Sequence, residues 1–185
     1  PNGVARIKEG IFENCSNLSS ISIPNSVTGI GFYAFRNCIS LTSITIPNSV
    51  FSIGDSSFSG CKNLLFITIS NKIALIEWAA FKDCPSLTSI VIPDSLDILR
   101  YLIFSGCTGL EYVVIGSGIK EIQPDAFANC NNIKEMHIKA IVPPKGDTRF
   151  DISNKNAIKL FIPRGSKEAY QKKIYWQGFK EYIEE

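Results

Sequence analysis

The sequence predicts an α/β repeat solenoid of short parallel strands and short helical or 3-10 turns, closed by a C-terminal cap. Cysteine recurs every 23 residues, at Cys15, Cys38, Cys61, Cys84, Cys107 and Cys130. Phenylalanine keeps the same step at Phe12, Phe35, Phe58, Phe81, Phe104 and Phe127. So do spaced apolar pairs: Ile21/Ile23, Ile44/Ile46, Ile67/Ile69, Ile90/Ile92, Val113/Ile115 and Met136/Ile138. A fixed period of about 20 to 29 residues is typical of stacked coils, because each coil buries its apolar face only against its neighbours.

The composition is that of a folded domain without a strong charge bias. The chain has 185 residues, of which 45% are hydrophobic and 19% charged, and its net charge is +2. No basic block is present, which argues against nucleic acid or an anionic membrane as the main partner. No run of about 18 apolar residues is present either, so we expect no membrane span.

The chain begins inside a repeat. Residues 1–7 align with residues 24–30, which lie in the middle of a coil. A solenoid needs a polar cap over its first coil. We therefore expect the natural protein to extend further in the N-terminal direction.

Each coil is predicted to contain one strand with a single buried face. Ile44 and Ile46 flank Thr45, and this alternation is the period of two of a half-buried strand. Leu41 enters the strand from the same interior. Pro47 ends it, because proline has no N–H to donate to a neighbouring strand.

The rest of the coil is predicted from its turn residues. Asn48 and Ser49 have short polar side chains that bond their own backbone, so they form a turn. Val50 and Ile53 then return to the core as a second short extended segment. Residues 34–38 represent the third side of a coil, which we expect to be one turn of α- or 3-10 helix.

The residue before each cysteine supports that turn. Only asparagine, aspartate and glycine occur there: Asn14, Asn37, Gly60, Asp83, Gly106 and Asn129. These three types adopt positive φ at low cost. The position after a helical turn requires such a residue.

The 23-residue pattern stops after Lys139. We therefore divide the chain into a solenoid of about six coils, residues 1–139, and a C-terminal capping region, residues 140–185. The polar stretch 145–156 follows two prolines and predicts a longer excursion from the stack.

The capping region is predicted to contain a strand, a short helix and an apolar cover. Alternating apolar residues at 158, 160 and 162, followed by Pro163, predict a last strand. Ser166 is expected to open a helix that runs through Tyr170, with Glu168 in its first turn. The cover over the end of the core is expected from residues with helical spacing, Trp176, Phe179 and Ile183.

Two segments resemble a known family. The run Leu-Thr-Ser-Ile-Thr-Ile-Pro-Asn-Ser-Val-Phe-Ser-Ile-Gly at 41–54, followed by Phe58 and Cys61, resembles the BspA-like (Treponema-type) leucine-rich repeat. This resemblance covers residues 1 to about 140. The tail Ile-Pro-Arg-Gly-Ser-Lys-Glu-Ala-Tyr at 162–170 is similar to the terminal cap of that family.

The resemblance implies a right-handed leucine-rich-repeat superhelix and an extracellular or cell-surface location. It also implies adhesion to host or bacterial surface proteins, and it brings no catalytic residues. The chain departs from the repeat where Ser70 and Gly116 replace the strand-ending proline. We expect these departures to mark places where a partner could bind.

From the spacing of the cysteines and the surroundings of the single histidine, we expect no catalytic site, no cofactor and no metal site. Equivalent residues in stacked coils lie about 5 Å apart with parallel Cα–Cβ bonds, which does not suit a disulfide or a tetrahedral zinc site. A column of buried free thiols is therefore expected. His137 falls at an outward strand position, and no nucleophile motif accompanies it. The carboxylates do not recur at one position of the repeat, so the sequence does not predict the pair of facing carboxylates that a glycosidase needs.

The outward strand positions carry the functional hypothesis. The first two coils present serine and threonine there, whereas later coils present apolar and aromatic residues. The candidate partner-binding residues on the concave sheet are Leu65, Phe66, Val91, Tyr112, Val114 and His137. Contiguous exposed apolar groups rimmed by charge indicate a contact site. The alternative is repeat drift, which places β-favouring residues on a sheet face without a function.

These observations predict a monomeric, non-catalytic repeat domain of a secreted or cell-surface bacterial protein, which binds a host or bacterial surface protein through its concave sheet. Two alternatives remain open. One is a glycan-binding module in which Phe66 and Tyr112 stack on sugar rings. The other is a structural spacer that displays another domain.

Overall fold

The computed structural model describes residues 3–146 and 154–185. In these residues the chain forms a solenoid of parallel strands with about seven turns. The strands are β1 (Arg6–Ile7), β2 (Gly29–Ile30), β3 (Ser43–Thr45), β4 (Ser52–Ile53), β5 (Phe66–Thr68), β6 (Leu75–Ile76), β7 (Ser89–Ile92), β8 (Ile98–Leu99), β9 (Tyr112–Ile115), β10 (Glu121–Ile122), β11 (Glu135–Ile138), β12 (Lys145–Gly146), β13 (Lys159–Ile162) and β14 (Glu181–Glu184). The helices are α1 (Lys167–Gln171) and two 3-10 turns, Lys155–Ala157 and Ile174–Trp176.

Coils are numbered from the first residue of each repeat, at 19, 42, 65, 88, 111 and 134. Strands β3, β5, β7, β9, β11, β13 and β14 follow one another along one side, and we call them the main sheet. All of its paired neighbours are parallel and in register, for example Ile44 with Ile67 and Ile90 with Val113. The predicted inward column is therefore confirmed from coil 2 onward, where its members are buried.

Coil 1 differs from this prediction. Residues 19–23 form no strand, and Ile21 is only half-buried. One backbone hydrogen bond, from Thr42 N to Ser19 O at 3.4 Å, joins this segment to coil 2. The segment has a neighbouring coil segment on one side only, that of coil 2. Its apolar residues are therefore covered less completely than those of the later coils.

The second extended segment of each coil forms a second sheet. Strands β1, β2, β4 and β6 pair in parallel, and β8, β10 and β12 continue the same arrangement. Ile30 pairs with Ile53 and Ile53 with Ile76, which places one isoleucine per coil in the core. This confirms the extended return predicted from Val50 and Ile53.

The third side of the coil is not the predicted helix. Within one coil, Arg36 N donates to Tyr33 O and Cys38 N to Phe35 O, three residues back in each case. The intervening Phe35 N donates to Ser57 O in the next coil, at 2.8 Å. Alternate N–H groups thus bond between coils rather than along the chain, so the segment is a series of β-turns. We call this side the turn ladder.

The turn ladder contains two left-handed residues per coil. The position before each cysteine has positive φ, as its residue types predicted, with values from 57° at Asn37 to 78° at Gly106. A second position four residues earlier is also left-handed, and its residue types gave no signal. Its members after Gly10 are Tyr33, Ser56, Ala79, Leu102 and Asp125, with φ between 51° and 58°.

The phenylalanine and cysteine columns lie beneath the turn ladder. Neighbouring phenylalanine rings stack with centroids 5.1–5.5 Å apart, from Phe12 to Phe127. The six cysteines are free thiols, and five of them are buried. Cys15 is exposed, contrary to the expected fully buried column, because it lies in the incomplete coil before coil 1.

The C-terminal region contains the predicted strand and helix, and it adds strands that were not predicted. β13 and α1 lie where expected, and Glu168 is in the first turn of α1. The Ser166 hydroxyl, however, donates to Pro163 O at 2.5 Å instead of capping the helix. β12 pairs with β10 inside the expected excursion, and the rest of that excursion, residues 147–153, lies outside the described residues.

Trp176 and Phe179 are buried, as predicted, but not on a helix. Trp176 ends a 3-10 turn, and Ile183 is half-buried in β14, which extends the main sheet beyond β13. The Trp176 indole N–H donates to Pro144 O at 2.9 Å, and the Tyr170 hydroxyl to Ala140 O at 2.6 Å. None of the helices in the described ranges is long and apolar enough to cross a bilayer.

The departures from the strand-ending proline have a packing explanation. A Cβ on Gly116 would lie 2.6 Å from the backbone of Pro93 and Asp94 in the previous coil, so only glycine fits there. Ser70 is buried, and its hydroxyl accepts a hydrogen bond of 2.9 Å from Lys72 N. Both positions are explained by local packing and turn geometry.

Candidate partner-binding surface

The outward face of the main sheet consists of two side-chain rows that cross the strands. The first row contains Ser43, Phe66, Ser89, Tyr112, Glu135, Lys159 and Glu181. The second row contains Thr45, Thr68, Val91, Val114, His137, Phe161 and Ile183. Neighbours within a row lie on adjacent strands, about 4.8 Å apart. A partner lying across the strands would therefore meet one residue per coil in each row.

Three of the six candidate residues are exposed in these two rows, and a fourth, Leu65, is exposed immediately before β5. Phe66 is 58% exposed, Val91 56%, Leu65 39% and Tyr112 38%. Phe66 and Tyr112 are both in the first row and are separated by Ser89. Val91 lies in the second row, beside the strand of Tyr112. Coils 3 to 5 thus present an apolar surface next to the hydroxyl surface of coil 2.

Val114 and His137 do not fit the expected exposed patch. Val114 is only 9% exposed, and the His137 side chain 15%. The Tyr112 ring leans diagonally towards His137, with ring centroids 5.0 Å apart. Val114 lies between Val91 and His137 in the second row. Its short side chain is buried and is not part of the exposed patch.

His137 is held in a short aromatic ladder. Its ring stacks on Phe161, with centroids 4.0 Å apart and an interplanar angle of 4°. Together with Tyr112, this forms a continuous run of three rings across β9, β11 and β13. Phe161 was not among the predicted residues, although its position between the inward Leu160 and Ile162 indicated an outward side chain.

Carboxylates and lysines surround the aromatic ladder. His137 Nδ1 lies 3.0 Å from Oε1 of Glu185, and Nε2 lies 3.8 Å from Oε2 of Glu135. Lys134 Nζ and Glu111 Oε2 form an ion pair of 2.8 Å at the rim. An apolar centre with a charged rim is the usual anatomy of a protein-binding surface.

The arrangement around His137 is not that of a nucleophile and its base. The ring nitrogens face carboxylates, and no serine or cysteine side chain among the described residues is paired with them. Within residues 3–146 and 154–185, no group of three metal-ligating side chains could hold an ion. The cysteines are used structurally: Sγ of Cys61 donates to Phe35 O at 3.2 Å, and four more thiols bond in the same way.

The stacked parallel strands, the asparagine-rich turns and the Phe-x-x-Cys turn ladder define a leucine-rich-repeat solenoid. A profile described as "BspA type Leucine rich repeat region (6 copies)" matches residues 1–111 and 74–174. The chain belongs to this BspA-type leucine-rich-repeat family. No functionally curated protein matches the sequence.

Solved structures of bacterial leucine-rich-repeat proteins have the same fold. The pneumococcal vaccine antigen PcpA is 19% identical with a TM-score of 0.67, and the match covers 90% of this chain and 41% of PcpA. A T. pallidum leucine-rich-repeat protein is 25% identical with a TM-score of 0.66, covering 89% of this chain and 69% of its own. A leucine-rich cell surface protein from Faecalibacterium prausnitzii is 20% identical with a TM-score of 0.55, covering 100% and 58%.

The chain thus spans less than two thirds of the length of PcpA and of the Faecalibacterium protein. At these identities the similarity shows the fold. Domains of this repeat class occur in bacterial surface proteins and generally bind other proteins.

Proposed function

We propose that this domain is a non-catalytic adhesion module of a secreted or cell-surface bacterial protein, which binds a protein partner on the main sheet. One observation carries the proposal. Exposed apolar side chains collect at Leu65, Phe66, Val91 and Tyr112 on one face, whereas the same positions of coil 2 carry Thr42, Ser43 and Thr45. Exposed patches of this kind on a soluble domain mark contact surfaces.

The aromatic residues are the proposed anchors. Phe66 is the most exposed side chain of the patch, and among the described residues its ring stacks on no other aromatic ring, unlike the core phenylalanines. Tyr112 stands where the apolar patch meets the aromatic ladder. Large aromatic groups of this type dominate the free energy of binding at many interfaces. The pair Glu111–Lys134 belongs to the rim, where it affects association more than affinity.

The test is a binding assay of the domain against a panel of purified extracellular matrix proteins. Phe66→Ala/Tyr112→Ala should weaken binding to the recognised protein by about 2 kcal/mol or more, roughly 30-fold. The matched control is Phe51→Ala/Tyr101→Ala, because these residues are 52% and 42% exposed on other faces. Equal loss in both double variants, or no loss in either, would place the binding site elsewhere.

Glycan recognition is the second candidate, and one observation favours it. Two carboxylates lie close to Tyr112: that of Glu111, which precedes it in the chain, and that of Glu135, which is opposite it on β11. Sugars bind well to an aromatic face with hydrogen-bond acceptors beside it. A glycan array with the same variants distinguishes this candidate from protein binding. A domain that retains no ligand in either assay would be a spacer.

A further inference from the structure

A second surface lies at the corner where each second-sheet strand leads into the turn ladder. One residue per coil stands at this corner: Phe32, Asp55, Trp78 and Tyr101 in coils 1 to 4. Their carbonyl groups accept hydrogen bonds from the preceding coils, for example Asp55 O from Tyr33 N at 3.0 Å and Trp78 O from Ser56 N at 2.9 Å. The backbone therefore holds these side chains at the inter-coil spacing.

Phe32, Asp55 and Trp78 line one groove, together with Tyr33 and Glu77. Its volume is about 330 Å³, which suits a single side chain or a small molecule. Phe32 is 47% exposed and Trp78 52% exposed. They stand two coils apart, which is about 9.6 Å at an inter-coil spacing of ~4.8 Å. Asp55 occupies the equivalent position of the coil between them.

Gly54 makes room for the first of these rings. A Cβ at Gly54 would lie 2.8 Å from Cδ1 of Phe32 and 2.7 Å from its backbone nitrogen. One edge of the Phe32 ring thus lies against Gly54 of coil 2, next to Asp55 in the chain, and the rest of the ring stays exposed. The groove is in this way built by a glycine as well as by the side chains that line it.

The groove contains a carboxylate that no cation neutralises. Among the described residues, no lysine, arginine or histidine forms an ion pair with Asp55, whose Oδ1 accepts a hydrogen bond of 2.6 Å from the Ser56 hydroxyl. Glu77, in contrast, pairs with Arg100 at 3.4 Å. The guanidinium carbon of Arg36 lies 5.4 Å from the ring centroid of Tyr33. One of the rings that line the groove therefore already contacts a cation.

We propose that Phe32, Asp55 and Trp78 form a binding site for an alkylammonium group. Cations bind to the faces of aromatic rings within about 6 Å of the centroid, and tryptophan is the strongest such partner. Phe32 and Trp78 line the same groove, and Asp55, which also lines it, belongs to the coil between them. A neutral ligand would leave the Asp55 carboxylate uncompensated. The site is independent of the main sheet and of the function proposed for it.

The first experiment titrates the domain with tetramethylammonium chloride at constant ionic strength. The chain has two tryptophans, so the indole N–H signals in a 1H–15N spectrum report two places at once. The Trp78 signal should shift saturably, whereas that of buried Trp176, bonded to Pro144 O, should not move. The neutral isostere tert-butanol should shift Trp78 much less. Equal shifts with both compounds would overturn the proposal.

Variants that keep the Trp78 reporter identify the site. Asp55→Asn removes the charge while the side-chain oxygen can still accept from Ser56, and Phe32→Ala removes one ring. Each should weaken tetramethylammonium binding by about two- to fivefold, which is the contribution of one cation–aromatic contact at an exposed site. The controls Asp97→Asn and Phe51→Ala alter an exposed carboxylate and an exposed phenylalanine outside the groove, and should bind as wild type does. Wild-type binding by both groove variants would overturn the assignment.

A second ligand distinguishes two possible sources of the ammonium group, a lysine side chain of a protein and a free quaternary amine. N-acetyl-lysine methylamide presents the group as a protein side chain does, and tetramethylammonium presents it as a small quaternary amine does. Tighter binding of the lysine derivative assigns the groove to a lysine of a protein partner. Tighter binding of tetramethylammonium assigns it to a free quaternary amine. The proposal fails if neither ligand shifts Trp78.

Discussion

The thiol of Cys61 donates a hydrogen bond of 3.2 Å to the carbonyl oxygen of Phe35, which lies 26 residues earlier in the chain. The same bond recurs at four other coils, with distances of 3.1–3.2 Å. Each bond links the start of one turn ladder segment to the end of the next. The periodic cysteine is therefore a buried donor between coils as well as a small apolar residue.

Replacing one of these thiols should destabilise the solenoid. Cys61→Ala removes a buried sulfur and its hydrogen bond, and we expect a loss of about 1–2 kcal/mol in the free energy of unfolding. Urea denaturation followed by circular dichroism measures it. The control is Cys15→Ala, because Cys15 is exposed. If both variants lose the same stability, the hydrogen bond is not a source of stability.

The thiols should differ sharply in reactivity. Cys15 is exposed, and the other five cysteines are buried. In the native protein, Ellman's reagent should therefore modify one thiol rapidly, and the remaining five only after denaturant is added. Cys15→Ser should abolish the rapid phase. Rapid reaction of two or more thiols in the native wild type would contradict the buried column.

Stability should fall at alkaline pH. Burial raises the pKa of the Cys61 thiol to about 12, whereas an unfolded thiol ionises near pH 8.5. The stabilisation is therefore complete below about pH 8.5, and it is lost as the pH rises towards the folded-state pKa, by about 1.4 kcal/mol per pH unit for this thiol. Urea unfolding between pH 8 and pH 10.5 measures the slope. Cys61→Ala should have a slope shallower by that amount, and an unchanged slope would contradict the assignment.

The two tryptophans should differ in their contribution to stability. Trp176→Ala removes a fully buried ring and the hydrogen bond to Pro144 O, so we expect a loss of about 3 kcal/mol or more. Trp78→Ala removes a ring that is 52% exposed and should cost less than about 1 kcal/mol. Thermal or urea denaturation compares the two directly. A small effect of Trp176→Ala would show that residues 140–185 do not act as a cap, and would remove the proposed division of the chain at residue 139.

Much of the fold could be predicted because each coil repeats the same local demands. The period of two around Ile44 predicts a strand, the proline at 47 predicts its end, and the asparagine at 37 predicts positive φ. The structure confirms all three. The turn ladder could not be predicted from the apolar pattern. One turn of helix would bury the same residues as a series of β-turns that bond to the next coil, so the pattern does not distinguish them. Tyr33 and Leu102 adopt positive φ although their types disfavour it, because the surrounding hydrogen bonds fix the turn. Tyr33 N donates to Asp55 O in the next coil, and the carbonyl groups of Tyr33 and Leu102 accept from Arg36 N and Ser105 N.

The candidate surfaces were predictable to different degrees. Alternation placed Phe66, Val91 and Tyr112 outward, and the structure shows them exposed. It could not show that the Tyr112 ring lies against His137, because that depends on the rotamers of both side chains, nor that Val114 is buried. The corner groove escaped detection for another reason: Phe32 and Trp78 lie 46 residues apart in sequence and become neighbours only through the stack.

The backbone makes hydrogen bonds between coils on all three sides, whichever side chains occupy the outward rows. Ser43, Phe66, Tyr112 and Glu135 occupy equivalent places in the same register despite unlike chemistry. Mutation can therefore change the outward side chains one coil at a time while the backbone framework is kept. A repeat domain built in this way can vary the chemistry of its main sheet at little risk to its folding.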